Sequence, residues 1–216
     1  MRSFAKPMLR IIMVVLVSPA LLLWWLNVAL VGKSRAFPGW SQAFSLLPGT
    51  TGAWLRQAFY SVVLPRCGPD ACLSFGTIFS SCSTTIGRDV YVGNFCSVGD
   101  VEIDDDVLIA SHVSIMNGCR QHGTTRLDKP VREQIGQFPR LTIGRDSWIG
   151  ERATVAASVG RHCVVGAGAL VLQPVPDYAI VVGVPARIVG DRRDVNDAAS
   201  RPQTSKEEAT STGASA

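Results

Sequence analysis

Residues 141–171 read LTIGRDSWIGERATVAASVGRHCVVGAGALV, and an Ile or Val recurs in this stretch every six residues, with one interval shortened to four. The same period runs through the preceding part of the chain, from residue 86 onward. The positions that keep it, called markers below, are Ile86, Val92, Val98, Ile103, Ile109, Ile115, Ile143, Ile149, Val155, Val159, Val165 and Val171.

A period of six does not fit one long helix, because successive markers would rotate by about 120° around the helix axis. It fits short strands joined by turns, with each strand giving one aliphatic side chain to a shared interior. The residue after a marker is nearly always small, as at Gly87, Gly144 and Gly160, and we expect it to let the chain bend. Self-similarity at a fixed period is typical of a β-solenoid, whose coils stack about 4.8 Å apart. The fold class predicted for this region is therefore an all-β solenoid.

The period is interrupted once at length, between Ile115 and Ile143. The intervening residues include the polar stretch MNGCRQHGTTRLDKPVREQIGQFPR (116–140). Long excursions from a rigid scaffold are where binding and catalytic groups tend to lie. Two of the chain's 3 histidines lie here: His112 just before the excursion, at a predicted outward-pointing corner, and His122 within it.

The stretch 141–190, with its WIG, VVGAGALV and VPDYAIVVGVPARIV segments, resembles the terminal coils of the hexapeptide-repeat acyltransferases. The resemblance covers about residues 73–190. It implies a left-handed parallel β-helix of triangular section, acetyl-CoA as cosubstrate and a homotrimer. The segment before it, residues 37–66, resembles the leader of some membrane-associated bacterial sugar O-acetyltransferases.

In the resembling family a loop ejected at this point carries the catalytic histidine, which implies His122 as the general base, with His112 as second choice. Moving an acetyl group from a thioester to a hydroxyl requires a base that removes the hydroxyl proton, a role suited to imidazole. No serine or cysteine nucleophile arrangement is evident, so we expect direct transfer. Asn117, Asp128 and Glu133 are loop candidates for orienting the histidine.

The resemblance also implies which residues contact the coenzyme. Small residues of the last coils would lie against it, and a basic residue near its phosphates is chemically reasonable. The implied coenzyme-binding residues are Gly150, Ala167, Gly168 and Arg187.

The N-terminal part of the chain predicts a membrane anchor. A basic segment (1–10) precedes the uncharged run IIMVVLVSPALLLWWLNVALV (11–31), which is long enough for roughly 30 Å of hydrocarbon. A cleaved signal peptide is the alternative, but the apolar run continues past the small residues at 18 and 20. Pro19 predicts a kink or a break. Trp40, Phe44, Phe59 and nearby apolar residues recur at helical spacing on both sides of a Pro-Gly pair.

Because the cosubstrate is cytoplasmic, we expect these helices to lie on the membrane rather than cross it. The predicted organisation is a membrane-anchoring helical region (1–66), a β-helix (67–190) with the ejected loop 116–140, and a disordered tail (191–216). The predicted location is the bacterial inner membrane, with the catalytic domain on the cytoplasmic side. The predicted acceptor is a sugar hydroxyl of a surface polysaccharide or a lipid-linked glycan.

Composition excludes some functions and leaves two alternatives. The net charge of +4 is spread along the chain without the basic stripe that nucleic-acid binding requires. The 6 cysteines show no metal-binding spacing, so no metal is expected and they are interpreted as reduced packing residues. One alternative is a β-helix metalloenzyme of the carbonic-anhydrase type using His112, His122 and His162. The other is a non-catalytic, membrane-bound trimeric scaffold.

Overall fold

Three helices precede the solenoid in the computed structural model, which describes residues 2–194, with side chains from residue 7 onward. They are α1 (Arg2–Val31), α2 (Lys33–Ser45) and α3 (Gly49–Val63). The part of the predicted tail beyond residue 194 lies outside the described residues.

Of the kink or break predicted at Pro19, the break is wrong, because α1 is continuous through this residue. A proline inside a helix has no N–H to give to the carbonyl four residues earlier, here that of Val15. The hydroxyl of Ser18 donates a hydrogen bond to this same carbonyl at 2.7 Å. A side chain therefore replaces the missing backbone donor, and the helix continues.

Short strands follow the helices in the described part of the chain. Before the loop they are β1 (Arg66–Cys67), β2 (Cys72–Leu73), β3 (Ile78–Phe79), β4 (Thr85–Ile86), β5 (Tyr91–Val92), β6 (Ser97–Val98), β7 (Val101–Ile103), β8 (Leu108–Ile109) and β9 (Ser114–Ile115). After the loop, which holds one 3₁₀ turn (Val131–Glu133), they are β10 (Leu141–Ile143), β11 (Trp148–Ile149), β12 (Thr154–Val155), β13 (Val164–Val165), β14 (Leu170–Val171), β15 (Ala179–Val182) and β16 (Arg187–Asp191).

The strands stack into three parallel walls around a column of about six turns. Wall A contains β1, β4, β7 and β10; wall B contains β2, β5, β8, β11, β13 and β15; wall C contains β3, β6, β9, β12 and β14. Single bridges from Ile143 to Val159 and from Val159 to Val175 extend wall A. Strand β16 turns back and pairs antiparallel with β15. The predicted parallel β-solenoid is confirmed.

The markers form the interior of the column. All of them are buried, none more than 3 % exposed, and neighbouring coils place marker on marker, as Ile109 on Ile149 and Ile149 on Val165. The residues four positions after a marker, such as Cys96 and Ala153, are buried beside them. Stacked aliphatic side chains therefore supply most of the column's hydrophobic burial.

The small residue after a marker has a different role from the one expected. A Cβ on Gly87 would lie 2.5 Å from the backbone carbon of Asp104, and one on Gly144 would lie 2.6 Å from that of Gly160. This position must be small because the next coil passes over it. The bend occurs instead three residues after a marker, where the backbone turns left-handed. The non-glycine residues with positive φ there include Asp89, Phe95, Asp106, His112, Asp146, Arg152 and His162.

The irregular intervals fall at one of the three corners. We name the corners AB, BC and CA after the walls they join. At the CA corner the marker interval is shortened, to five residues between Val98 and Ile103 and to four between Val155 and Val159. Residues 116–140 leave the column at this same corner, between β9 and β10.

Helices α2 and α3 close the first end of the column. The hydroxyl oxygen of Ser41 accepts a hydrogen bond from the Phe79 N–H at 2.8 Å, and the Ser45 carbonyl accepts one from the Gly76 N–H at 2.8 Å. Above them, α1 packs through Trp24, which makes edge contacts with the rings of Phe37 and Phe59. The helices and the column therefore share one continuous apolar core.

Candidate active site

The excursion 116–140 is closed at its base by one side chain. Asn117 accepts a hydrogen bond at Oδ1 from the Asp100 N–H (2.9 Å) and donates through Nδ2 to the Asp100 carbonyl (2.7 Å). The same Nδ2 donates to the carbonyl of Pro139 at 3.1 Å. Asn117 thus joins both ends of the loop to the coil beneath. In the described part of the chain its side chain forms no hydrogen bond to either histidine.

The body of the loop folds back on itself. The Gln137 N–H donates to the Arg120 carbonyl at 2.7 Å, and the two segments approach so closely at Gly136 that it has no room for a Cβ. Near the tip, the Gln134 amide donates to the carbonyls of Arg126 (2.7 Å) and Lys129 (3.0 Å). Polar contacts within the loop therefore define its shape.

His122 lies on the outgoing segment of this loop with its ring exposed. The edge of the Phe138 ring faces it, with the ring centres 6.4 Å apart and an interplanar angle of 87°. The predicted orienting carboxylates are engaged elsewhere: Asp128 pairs with Arg126, and Glu133 with Arg132 at 3.4 Å. Within residues 7–194, no carboxylate forms a hydrogen bond to the His122 ring.

His112 lies at the BC corner of the third coil, in the left-handed conformation (φ 59°). Its exposed ring stacks on that of Phe95 at 5.4 Å, and Phe95 in turn meets the edge of Phe75 at 5.5 Å. The two candidate histidines are therefore on different corners of one chain: His112 on the rigid column and His122 on the loop.

The third histidine lies at the AB corner and is tied to the column. Nδ1 of His162 is 2.9 Å from Oδ2 of Asp146, and its ring stacks on Tyr178 with ring centres 5.0 Å apart. The same carboxylate accepts a hydrogen bond from Arg192 at 2.9 Å. The pKa of Asp146 is lowered, first by the hydrogen bond with His162 and then by the charge of Arg192. The three histidines do not converge within one chain, and no group of three potential metal ligands is found among the described residues.

The small residues predicted to contact coenzyme share the BC corner. A Cβ on Gly150 would lie 2.5 Å from the Ala167 nitrogen, so stacking of the next coil already requires glycine there. Ala167 and Gly168, one coil further, are exposed, and the space beside the Gly168 Cα holds no atom within 4 Å. The corner therefore has an open, shallow strip at its last coil.

Arg187 lies at the same corner, just after a turn that folds over the end of the column. The Leu170 N–H donates to the Gly183 carbonyl at 3.0 Å, and the Ala186 N–H donates to the Leu170 carbonyl at 2.8 Å, which places this turn above wall C. Arg187 pairs with Val182 at the end of β15, and its guanidinium is exposed. The structure therefore brings the four predicted coenzyme residues together with His112 at the BC corner, whereas His122 lies on the loop at the CA corner.

Wall B carries side chains that the sequence reasoning did not single out. Tyr91, Leu108 and Trp148 point outward in neighbouring coils and are 39 %, 50 % and 52 % exposed. Each directly precedes a marker, and a large apolar residue at that outward position was the signal that could have identified them. They form an exposed apolar strip next to the BC corner.

Comparison with known proteins identifies a family model and several relatives that resemble this chain. A family model described as the hexapeptide repeat of succinyl-transferase matches residues 140–173. The chain is 31% identical over 149 residues to a galactoside O-acetyltransferase of Escherichia coli (strain K12), covering 66% of this chain and 70% of that relative. It is 30% identical over 123 residues to the "Putative lipopolysaccharide biosynthesis O-acetyl transferase WbbJ" of the same organism, covering 53% of this chain and 60% of that relative.

Another relative matches over a smaller part of its length. The chain is 34% identical over 110 residues to the "Probable acetyltransferase Rv3034c" of Mycobacterium tuberculosis, which covers 50% of this chain and 35% of that protein. Among solved structures, a galactoside acetyltransferase in complex with coenzyme A superimposes with a TM-score of 0.65 at 23% identity, covering 76% of this chain and 84% of that one. This last likeness concerns the fold.

The predicted fold and resemblance are thus confirmed together. A three-walled column with six-residue spacing accounts for the structural match, and the galactoside O-acetyltransferase match extends over more than two thirds of that relative. The chain belongs to the hexapeptide-repeat family of left-handed β-helix acyltransferases.

Proposed function

We propose that this protein is an acetyl-CoA-dependent O-acetyltransferase that modifies a sugar hydroxyl of a surface polysaccharide or a lipid-linked glycan. The observation that carries the proposal is the histidine-bearing loop, pinned at its base by Asn117, in a column that is otherwise regular. The relatives named galactoside O-acetyltransferase and lipopolysaccharide biosynthesis O-acetyl transferase support a sugar as acceptor. The coenzyme A bound in the superimposed structure supports the donor.

In this proposal His122 is the general base. Its imidazole takes the proton of the acceptor hydroxyl while that oxygen attacks the thioester carbon. The tetrahedral intermediate then collapses as its C–S bond breaks, and the imidazolium returns the proton to the coenzyme thiolate. A backbone N–H stabilises the oxyanion. His112 remains the second choice.

The coenzyme would lie along the BC corner. The open strip at Ala167 and Gly168 can accept a narrow, extended arm, and the exposed Arg187 can pair with phosphates. Gly150, whose small size is already required by coil stacking, would limit bulk beside that strip.

Within one chain, the CA corner with His122 and the BC corner with the coenzyme residues are apart. The CA corner of one copy must therefore meet the BC corner of another for the reaction to occur, and we propose that a homotrimer brings them together. The loop at the CA corner exposes Leu127 and Ile135, which are 99 % and 96 % exposed. Burial of such side chains against the BC corner and wall B of a neighbouring copy would be favourable. It would also place His122 of one copy beside the coenzyme residues of the next.

The helical region would hold the enzyme at a membrane surface. Residues 7–31 form a helix long and apolar enough to cross a membrane by length and composition. One side of α1, including Met13, Val17, Leu21 and Trp24, packs on the protein, while the opposite side is apolar and exposed. Arg10 also pairs with Asp70 of the first coil at 2.9 Å, so α1 is held along the protein near both ends. This packing supports a helix that lies in a membrane surface. The proposed membrane is the bacterial inner membrane, with the column on the cytoplasmic side, where the cosubstrate is found.

A transfer assay tests the proposal directly. The full chain, purified in neutral detergent, is incubated with acetyl-labelled acetyl-CoA and with monosaccharide, oligosaccharide and lipid-linked glycan acceptors. We expect base-labile label on a sugar hydroxyl and equimolar release of coenzyme thiol. No thiol release together with no thermal stabilisation by acetyl-CoA would favour the scaffold alternative. Thiol release without labelled sugar would contradict a sugar acceptor. Stoichiometric zinc in the purified protein would favour the metalloenzyme.

A further inference from the structure

A cavity of about 580 Å³ lies at the opposite end of the molecule from the coenzyme strip. Its walls are the N-terminal halves of α1 and α3 and the first two coils of the column. Its volume is in the range of small-molecule sites. The helix residues that line it include Leu9, Arg10, Met13, Ala53, Trp54 and Arg56.

Most of the cavity surface is apolar. Leu9 and Met13 come from one side of α1, Ala53 and Trp54 from α3, and Phe75 from the first coil. The exposed residues Ile11 and Ile12 are on the outward side of the same turn of α1. A hydrocarbon chain that contacts α1 from a bilayer therefore meets apolar surface on both sides of this helix.

A buried cation lines the same cavity. Arg56 is 1 % exposed, and its hydrogen bonds go to backbone carbonyls: Nε to Leu73 at 2.7 Å, and Nη1 to Leu47 and Phe44. In the described part of the chain no carboxylate pairs with it and no acceptor binds its Nη2. A charge buried without a counter-ion is costly, and an anion in the cavity would offset that cost.

The remaining charges leave the cavity positive. Arg10 and Asp70 face each other at 2.9 Å, so they offset one another and Arg56 is in excess. A ligand that satisfies both the wall and the charge has an acyl chain and an anionic headgroup.

We propose that this cavity binds one molecule of an anionic phospholipid, with an acyl chain between α1 and α3 and the phosphate near Arg10 and Arg56. The inference rests on the proposed contact of α1 with the membrane, not on the transfer chemistry. The lipid would fix the angle at which the column stands on the bilayer. It borders the first two coils of the BC corner and is separate from the loop and from the coenzyme strip at Ala167 and Gly168.

Native mass spectrometry of the full chain in neutral detergent tests the site. Phosphatidylglycerol is compared with diacylglycerol of the same acyl chains, which lacks the phosphate. We expect one saturable phosphatidylglycerol per chain and about tenfold weaker diacylglycerol binding, the effect of losing one charge-assisted hydrogen bond. Equal binding of both lipids, or adducts that do not saturate, would overturn the proposal.

Two variants and one control variant locate the lipid. Ala53→Phe fills the cavity and should abolish the saturable adduct, whereas Ala43→Phe, at an exposed position of α2, should leave it unchanged. Arg10 is partly exposed, so the fold should tolerate Arg10→Gln. This variant should show a smaller preference for the phosphate-bearing lipid. Full binding by a folded Ala53→Phe variant would place the lipid elsewhere and refute the site.

Flotation with phosphatidylglycerol vesicles separates this proposal from the function proposed above. If wild type and Ala53→Phe both float but only wild type retains the stoichiometric lipid, the cavity site stands apart from anchoring. If neither floats, the proposed membrane contact fails, and the lipid site fails with it. The acetyl-transfer assay in detergent is not expected to change with Ala53→Phe.

Discussion

The column and the loop that leaves it are built on opposite principles. In the column, aliphatic side chains face inward and stack coil on coil, and the outer corners carry ion pairs such as Arg88 with Asp105. In the loop, backbone and amide groups bond to one another, while large apolar side chains such as Leu127 point outward. Under the proposed mechanism, stability would reside in the column and activity in the loop, so the two could be disrupted separately.

The largest expected effect is on activity, from His122→Ala. Loss of a general base costs about 10²–10⁴-fold in kcat. The midpoint of thermal unfolding should hardly move, because the exposed ring meets only the edge of Phe138 in the described structure. Steady-state kinetics and calorimetry measure the two quantities. His162→Ala is the matched control and should keep its rate; a rate loss confined to His112→Ala would transfer the role to that residue.

Ile149→Ala should produce the reverse pattern. This side chain is fully buried between Ile109 and Val165, so its truncation leaves a cavity and costs about 2–5 kcal/mol of unfolding free energy. Denaturant titration measures the loss, and the remaining folded enzyme should turn over normally. Thr142→Ala, at an exposed position of wall A, is the control and should stay within about 0.5 kcal/mol. Equal losses from the two variants would contradict the stacked-core account.

Asn117→Ala tests the junction between the two regions. Removing its three hydrogen bonds should cost about 1–2 kcal/mol, because part of this site is exposed to water. Hydrogen exchange should accelerate across 116–140 but not in the coils, and kcat should fall more than KM changes. Gln173→Ala, at an exposed position of the same corner, should leave both unchanged. Unchanged exchange in the loop would show that its base does not depend on Asn117.

The smallest effect concerns acid stability at the corners. The Arg88 N–H and then its guanidinium lower the pKa of Asp105 below its ordinary value of 3.8. This contribution is complete above that value and is lost as the pH falls through the lower folded-state pKa. Asp105→Asn should therefore destabilise the protein at neutral pH, by less than about 1 kcal/mol, and flatten the loss of stability below pH 3.8. Thermal unfolding from pH 7 to pH 2 measures this, with Asp89→Asn as the control. Identical stability profiles for the two variants would exclude a role for the Arg88–Asp105 pair.

The period of six determined the column from the sequence alone. Each marker needs only its neighbours above and below, and these lie at constant separations along the chain, so a local pattern encodes the whole architecture. The loop was identified for the same reason, as the interruption of that pattern. The role of the small residue at Gly87 was misassigned because the approach of Asp104 belongs to the next coil. The predicted break at Pro19 failed because a serine hydroxyl replaced the lost backbone donor.

The sequence by itself determined the solenoid, the excursion and the apolar N-terminal run, since all three follow from spacing and composition along the chain. Only the tertiary structure decided that Ala167, Gly168 and Arg187 share a corner with His112 rather than with His122. It alone placed Arg56 in a cavity between helices and coils. These arrangements depend on which distant segments meet, and no local period records such contacts.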